Sequence, residues 1–164
     1  MPIPHNQNPN RSFKYLMKRI YLFKQKITLD HYVAEAYTVR CVDDRFWKTF
    51  KNFLREQNIT HVDPKSPAGG VKVFASPNRE SDREYNLDEL AISIKLHHVK
   101  KVMLFSHSDC GAYGGLKKFN GNKDKELRFH LKEHEKAKEV VGKRFPGLKI
   151  ETYFIDEEGV IKTS

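Results

Sequence analysis

The stretch KVMLFSHSDCG, residues 101–111, decides the fold because it joins a short apolar run to a polar turn. Residues 101–106 form a continuous apolar run of the kind expected for a strand buried in a parallel sheet. In an open parallel sheet, ligands bind beyond the carboxyl ends of the strands. We therefore place residues 106–111 at the edge of the sheet where a functional site would lie.

A second segment has the same organisation. Residues 31–40 (HYVAEAYTVR) alternate in polarity and are rich in β-branched and aromatic side chains, which predicts a strand. This strand ends at Cys41, and the polar sequence Val-Asp-Asp-Arg follows as residues 42–45. Two predicted strands thus lead into two polar turns, and both turns belong at the same edge of the sheet.

The remaining chain alternates between helical and extended patterns. We predict a helix around residues 46–55, a loop at 63–70, a strand at 71–75, a loop at 76–85, a helix starting at Asn86 with Glu89 as its capping box, a helix at 124–145, and strands at 150–155 and 160–161. This order predicts an α/β domain with a mainly parallel β-sheet flanked by helices and a C-terminal strand pair.

The first thirty residues differ from the rest. Residues 1–10 resemble a loose tail, and residues 11–26 predict a basic amphipathic helix. Such a helix could lie on a membrane surface, or it could pack on the domain or on a partner subunit. We therefore expect two parts: residues 1–30 as tail and helix, and residues 31–164 as one domain.

Composition limits the possible classes of protein. The 164 residues are 38% hydrophobic, enough for one core, and no apolar run is long enough to span a bilayer. The N-terminus lacks the apolar region of a secretion signal, so a cytoplasmic location is the expectation. The formal net charge of +9 raises nucleic acid as a partner, but acidic residues interleave with the lysines of the last helix.

The two cysteines and one histidine suggest a metal site. His107 and Cys110 are three residues apart in a turn, and Cys41 would arrive from the other strand end. Two thiolates and one imidazole suit zinc, and three protein ligands leave a fourth tetrahedral position open, as in catalytic sites. The alternative is that each cysteine is a small buried apolar residue.

Both turns also resemble motifs of one enzyme family. The sequence Cys-Val-Asp-Asp-Arg at residues 41–45 resembles the C-x-D-x-R motif of β-class carbonic anhydrases, and residues 106–111 resemble their H-S-x-C-G motif. The resemblance implies one zinc ion per chain, held by Cys41, His107 and Cys110. It also implies that Asp43 accepts a hydrogen bond from zinc-bound hydroxide and that Arg45 orients Asp43.

The resemblance further implies reversible hydration of CO2 to bicarbonate in a homodimer or a higher even oligomer. One departure is the segment between the motifs, where the family usually has R-N-A-G-N and this chain has Pro-Ala-Gly-Gly at 67–70. Two alternatives remain: hydrolysis of COS or CS2 on the same fold, or a non-enzymatic zinc-containing module that binds nucleic acid.

Five other polar residues are expected to have no role in the metal site or only a minor one. His98 and His134 are expected to pack within the domain or at an interface, and His61 to be a surface residue or a proton relay. Asp44 and Asp109 are expected to be exposed or to cap helices.

Overall fold

The computed structural model describes residues 20–164, which belong to two units that divide after Asp30. Part of the predicted helix at 11–26 lies outside the described residues. In residues 20–26 the prediction is wrong, because no helix forms there and Ile20, Leu22 and Phe23 are 81%, 98% and 77% exposed. Short helices depend on packing of their apolar face, and these side chains have none.

Five strands form one sheet within residues 31–164. In chain order they are β1 (Ala36–Val39), β2 (Val62–Lys65), β3 (Lys101–His107), β4 (Lys149–Ile155) and β5 (Val160–Lys162). Their order across the sheet is β2-β1-β3-β4-β5; the first four are parallel and β5 is antiparallel to β4. The predicted α/β fold with a mainly parallel sheet and a C-terminal strand pair is confirmed.

Four α-helices cover the two faces of this sheet. They are α1 (Trp47–Glu56), α2 (Lys72–Ala75), α3 (Glu80–His97) and α4 (Lys123–Arg144). On one face, side chains of α2, α3 and α4 pack on Val39 and Leu104, and on the other α1 packs on Phe105 and Tyr153. Because β3 is buried on both faces, its sequence is a continuous apolar run rather than an alternating one.

Strand β2 corrects part of the predicted loop at residues 63–70. Val62–Lys65 pairs in parallel with β1, and Pro64 stands opposite Thr38 in the register. A proline lacks the N–H needed for a central strand, but β2 is at the edge of the sheet, where proline is tolerated. The turn-forming residues that predicted a loop therefore occupy an edge strand.

The predicted strand at 71–75 is wrong, because this segment turns back on itself as α2. The Ser76 N–H donates to the Lys72 carbonyl at 2.9 Å, and the side chains of Val73 and Phe74 are buried in the hydrophobic core. A short apolar run does not distinguish a strand from a buried helical turn.

Helix α3 begins six residues before its predicted start. It starts at Glu80, so most of the predicted loop at 76–85 is helical. Asn86 is not an N-cap: its Nδ2 donates to the Asp82 carbonyl at 2.8 Å inside the helix, while Glu89 pairs with Lys65. The helix ends at His97, and the next residue, His98, is exposed in a left-handed conformation (φ 55°). His98 therefore does not pack within the domain, and its place at an interface stays a prediction.

Helix α4 agrees with its prediction to within one residue at each end. The Asn122 side chain caps it by accepting the Lys125 N–H at 2.8 Å, and Pro146 follows its end. His134 is packed as predicted, at 1% exposure, between Ser106 Oγ and Thr163 Oγ1. Among residues 20–164, no helix combines the length and apolar character required to cross a membrane.

Candidate metal centre

The carboxyl ends of β1 and β3 are neighbours in the sheet, and they bring the predicted metal ligands together. Val39 pairs with Leu104, so Cys41 leaves β1 beside His107, the last residue of β3. Cys110 follows in the turn after β3. The ligand atoms of Cys41, His107 and Cys110 all lie within 4.8 Å of one another, and all three residues are buried.

A third segment supports this cluster, and sequence reasoning missed its role. The Gly69 N–H donates to Cys41 Sγ at 3.2 Å. The next residue, Gly70, has φ 57°, and a Cβ there would lie 2.3 Å from the Phe105 carbonyl oxygen. Only glycine allows this approach of the loop to β3. The Gly-Gly pair was the available signal in the sequence.

The hydrogen bonds of His107 determine which ring nitrogen is free. Its Nδ1 lies 2.8 Å from the Ser108 carbonyl, so Nδ1 carries the hydrogen and Nε2 carries the lone pair. Nε2 is buried and has no hydrogen-bond partner among residues 20–164. A buried acceptor left unpaired costs about 1–3 kcal/mol. A metal ion between the three side chains would satisfy it.

The two sulfur atoms also suit a metal. Cys41 Sγ and Cys110 Sγ are 4.0 Å apart, too far for a disulfide and close enough to share one ion. The contact with Cys110 lowers the pKa of Cys41, and that thiolate raises the pKa of Cys110. The donor set therefore fits zinc, which binds thiolate sulfur and neutral imidazole nitrogen.

Asp43 and Arg45 lie beside the cluster and form an ion pair. Arg45 Nη2 donates to Asp43 Oδ2 at 2.7 Å, and Arg45 Nε donates to both carboxylate oxygens at 3.1 Å. This pairing lowers the pKa of Asp43 to about 2 and raises the pKa of Arg45. Asp43 Oδ2 is 4.0 Å from His107 Nε2. An ionised carboxylate thus stands next to the donor cluster.

Asp109, expected to be exposed or to cap a helix, has another contact. It is exposed, yet its Oδ2 accepts a hydrogen bond from Arg45 Nη1 at 3.1 Å. Its carbonyl oxygen accepts one from Arg45 Nη2 at 3.1 Å. Asp44, between the two members of the pair, is exposed as expected and forms no ion pair within the described residues. The two residues meet because the turns after β1 and β3 lie side by side at one edge of the sheet.

A small cavity opens onto the cluster. Its volume is about 10 Å³, close to the space of one water molecule. Cys41, Asp43 and His107 line one side, and Phe46, Phe50, Phe105 and Ile155 contribute an apolar wall. A larger cavity of about 430 Å³ lies along α2 and α3 and touches none of the five predicted site residues. The cavity beside His107 therefore offers an apolar wall and space for about one water molecule.

Comparison of the sequence with protein families and curated proteins gave two kinds of match. A family model described as "Putative carbonic anhydrase" matches residues 33–163. An uncharacterized protein of Rickettsia bellii is 32% identical over 132 residues, covering 79% of this chain and 80% of that protein. An uncharacterized protein of Rickettsia conorii is 32% identical over 133 residues, covering 79% and 71%.

Solved structures with a similar fold include two β-carbonic anhydrases. The protein from Trichomonas vaginalis has a TM-score of 0.56 at 13% identity, covering 85% of this chain and 87% of that one. The protein from Sordaria macrospora, described as tetrameric, has a TM-score of 0.54 at 14% identity, covering 80% and 81%. At such low identities the similarity shows a common fold.

Proposed function

This chain belongs to the carbonic anhydrase family whose model it matches, and from that premise we propose that it reversibly hydrates CO2 to bicarbonate and a proton. The proposal includes one zinc ion per chain, held by Cys41, His107 and Cys110. The observation that carries it is the unpaired Nε2 of His107, buried within 4.8 Å of two thiols and beside an ionised Asp43.

Zinc bound there supplies a Lewis acid that makes a water molecule acidic near neutral pH. The residues of this chain supply the rest of the chemistry. Asp43, kept ionised by Arg45, can accept a hydrogen bond from the attacking oxygen and so direct its lone pair toward the substrate. The Ser108 carbonyl holds the His107 ring in the tautomer that presents Nε2.

The wall of the small cavity supports a neutral substrate. Phe46, Phe50 and Phe105 offer apolar surface that excludes water and binds a linear molecule without charge. COS and CS2 are also linear and uncharged, so the assay below includes them. The alternative of a nucleic-acid-binding module has less support. Lysines of α4 form ion pairs with acidic residues of the same helix, such as Lys143 with Glu139. This pairing is typical of a solvated surface rather than of a site for nucleic acid.

We propose that the working form is a homodimer or a higher even oligomer, located in the cytoplasm. Support for the assembly comes from the neighbour of Sordaria macrospora, which is described as tetrameric. The cavity formed by one chain has space for about one water molecule, so a second subunit could complete the substrate pocket.

Zinc content and CO2 hydration, measured on one preparation, test the function. We expect about one zinc per chain by elemental analysis, and loss of both zinc and activity in Cys41→Ser and Cys110→Ser, because each removes a soft, charged donor. His107→Gln should also lose zinc and activity. His98→Gln changes an exposed position and should keep both zinc and activity. Full zinc occupancy in both serine variants would refute the ligand set. Zinc-loaded protein that acts on COS or CS2 but not on CO2 would refute the substrate.

A further inference from the structure

The guanidinium of Arg45 is shared between two carboxylates that come from different turns. Nε and Nη2 donate to Asp43, while Nη1 donates to Asp109 Oδ2 at 3.1 Å and Nη2 also reaches the Asp109 carbonyl at 3.1 Å. Asp43 follows β1 and Asp109 follows β3. Arg45 therefore connects the turn after β1 to the turn after β3. The Asp43–Arg45 ion pair is part of a three-residue network that also includes Asp109.

Asp109 is itself held firmly. It adopts a left-handed conformation with φ 52°, uncommon outside glycine. Its Oδ1 accepts the Leu116 N–H at 2.9 Å, and its own N–H donates to Glu126 Oε1 at 2.8 Å. Glu126, in the first turn of α4, is 2% exposed. A buried carboxyl group thus fixes the backbone that presents the Asp109 carboxylate to Arg45.

We infer that Asp109, fixed by Glu126, is a positioning residue that holds Arg45 in the orientation in which Arg45 aligns Asp43. This inference rests on the proposed function, because the alignment of Asp43 matters for the attack on CO2. Neither residue touches substrate. Both act through Arg45.

The physical need for such a support follows from exposure. The Arg45 side chain is 56% exposed, and an isolated surface ion pair orients it weakly, because holding a long side chain in one rotamer costs entropy. A guanidinium bound by carboxylates from two turns loses most of that freedom, since its planar fork presents N–H donors in fixed directions. Asp43 is then bound by an Arg45 side chain of fixed orientation. This matters because a small displacement of an aligned carboxylate lowers the catalytic rate.

Four variants separate positioning from general folding. Asp109→Asn tolerates the left-handed conformation and keeps an acceptor for the Leu116 N–H, but it removes the charge that binds Arg45. Glu126→Leu removes the acceptor for the Asp109 N–H, whereas Glu126→Gln keeps one. Asp44→Asn is the matched control, because it removes an equal charge beside Arg45 from a side chain that forms no ion pair within residues 20–164.

The first readout is the NMR signal of the arginine side chains in 15N-labelled, zinc-loaded protein. Restricted rotation should give Arg45 separate Nη–H signals, assigned by their absence in Arg45→Lys. We expect the Nη1–H signals to broaden or disappear in Asp109→Asn and Glu126→Leu, while the Nε–H and Nη2–H signals of the groups bound to Asp43 persist. Glu126→Gln and Asp44→Asn should retain the wild-type spectrum. Unchanged Nη1–H signals in Asp109→Asn would overturn the inference.

The second readout is CO2 hydration at constant zinc content. We expect kcat to fall about fivefold in Asp109→Asn and Glu126→Leu with little change in KM, since an aligning contact acts on the transition state. Glu126→Gln and Asp44→Asn should stay within about twofold of wild type. Equal losses in Asp44→Asn would show a general charge effect and contradict positioning. If wild-type protein lacks CO2 hydration, the proposed function fails, while the NMR result still decides whether Asp109 holds Arg45.

Discussion

Single atoms define the candidate metal centre. The hydrogen bond from His107 Nδ1 to the Ser108 carbonyl leaves Nε2 free as a donor atom. The bonds from Arg45 keep Asp43 ionised far below neutral pH, so Asp43 can act as an acceptor throughout the physiological range. Asp43 is thus ionised at neutral pH, and Nε2 is the ring nitrogen that His107 presents to the cluster.

Arg45→Ala tests the pair at this scale. We expect zinc content to remain unchanged and CO2 hydration to fall at least about tenfold, equivalent to roughly 1.4 kcal/mol of barrier, because Asp43 loses its orienting partner. Arg128→Ala, an equal truncation at an exposed position of α4, should retain activity. A variant at residue 45 that hydrates CO2 at the wild-type rate would show that the ion pair has no catalytic importance.

Secondary-structure elements bring these atoms together. Parallel strands β1 and β3 place both ligand-bearing turns at one edge, and the loop before α2 adds the N–H of Gly69. That loop runs close to β3, and the Val71 N–H donates to the Phe105 carbonyl at 3.2 Å. The close contact of loop and strand therefore supports the candidate metal centre.

Gly70→Ala should disrupt this contact. Its Cβ would lie 2.3 Å from the Phe105 carbonyl oxygen and 2.8 Å from the Cys41 nitrogen, both backbone atoms that cannot move aside cheaply. We expect the free energy of unfolding, measured in urea, to drop by roughly 3 kcal/mol and zinc affinity to weaken as Gly69 moves from Cys41.

Gly121→Ala is the matched control for this prediction. Gly121 also has a positive φ, 75°, but a Cβ there would meet nothing within 4 Å. It therefore reports the backbone cost of alanine alone, about 1 kcal/mol. If both variants lose the same stability and keep full zinc affinity, the close approach of the loop has no special importance.

The whole domain buries two histidines of α4 in its core. His130 and His134 are fully buried, and burial lowers the pKa of His130 to about 3 and that of His134 to about 4. Both are neutral in the folded protein at pH 5, whereas in the unfolded chain a histidine with pKa about 6.5 is protonated there. Between these values the unfolded chain binds more protons, so acid favours unfolding.

Stability should therefore decrease as the pH falls from about 6.5 toward 4. Each histidine contributes a slope of up to about 1.4 kcal/mol per pH unit in this window. His130→Phe keeps an aromatic ring among Tyr113, Phe129 and Phe154. The free energy of unfolding of this variant should depend less steeply on pH, by the contribution of one histidine. Urea unfolding at pH 7, 6 and 5 measures this, with exposed His98→Gln as control. Equal slopes in wild type and His130→Phe would contradict the assignment.

The sequence by itself predicted the α/β fold, which the structure confirms, and it predicted that Cys41, His107 and Cys110 lie together. Both are local patterns: an apolar run followed by a polar turn predicts a strand end, and parallel strand ends share an edge. Helix α4 was predicted to within one residue because the helical segment is long and Pro146 follows its end.

Tertiary structure alone decided the rest. The apolar run at 71–75 became a helix, and Pro64 entered an edge strand, because packing and sheet position outweigh local propensity for short segments. Gly69 reaches Cys41 and Arg45 reaches Asp109 across 28 and 64 residues of chain. Such contacts have no local signature, since they depend on which turns the completed sheet places side by side.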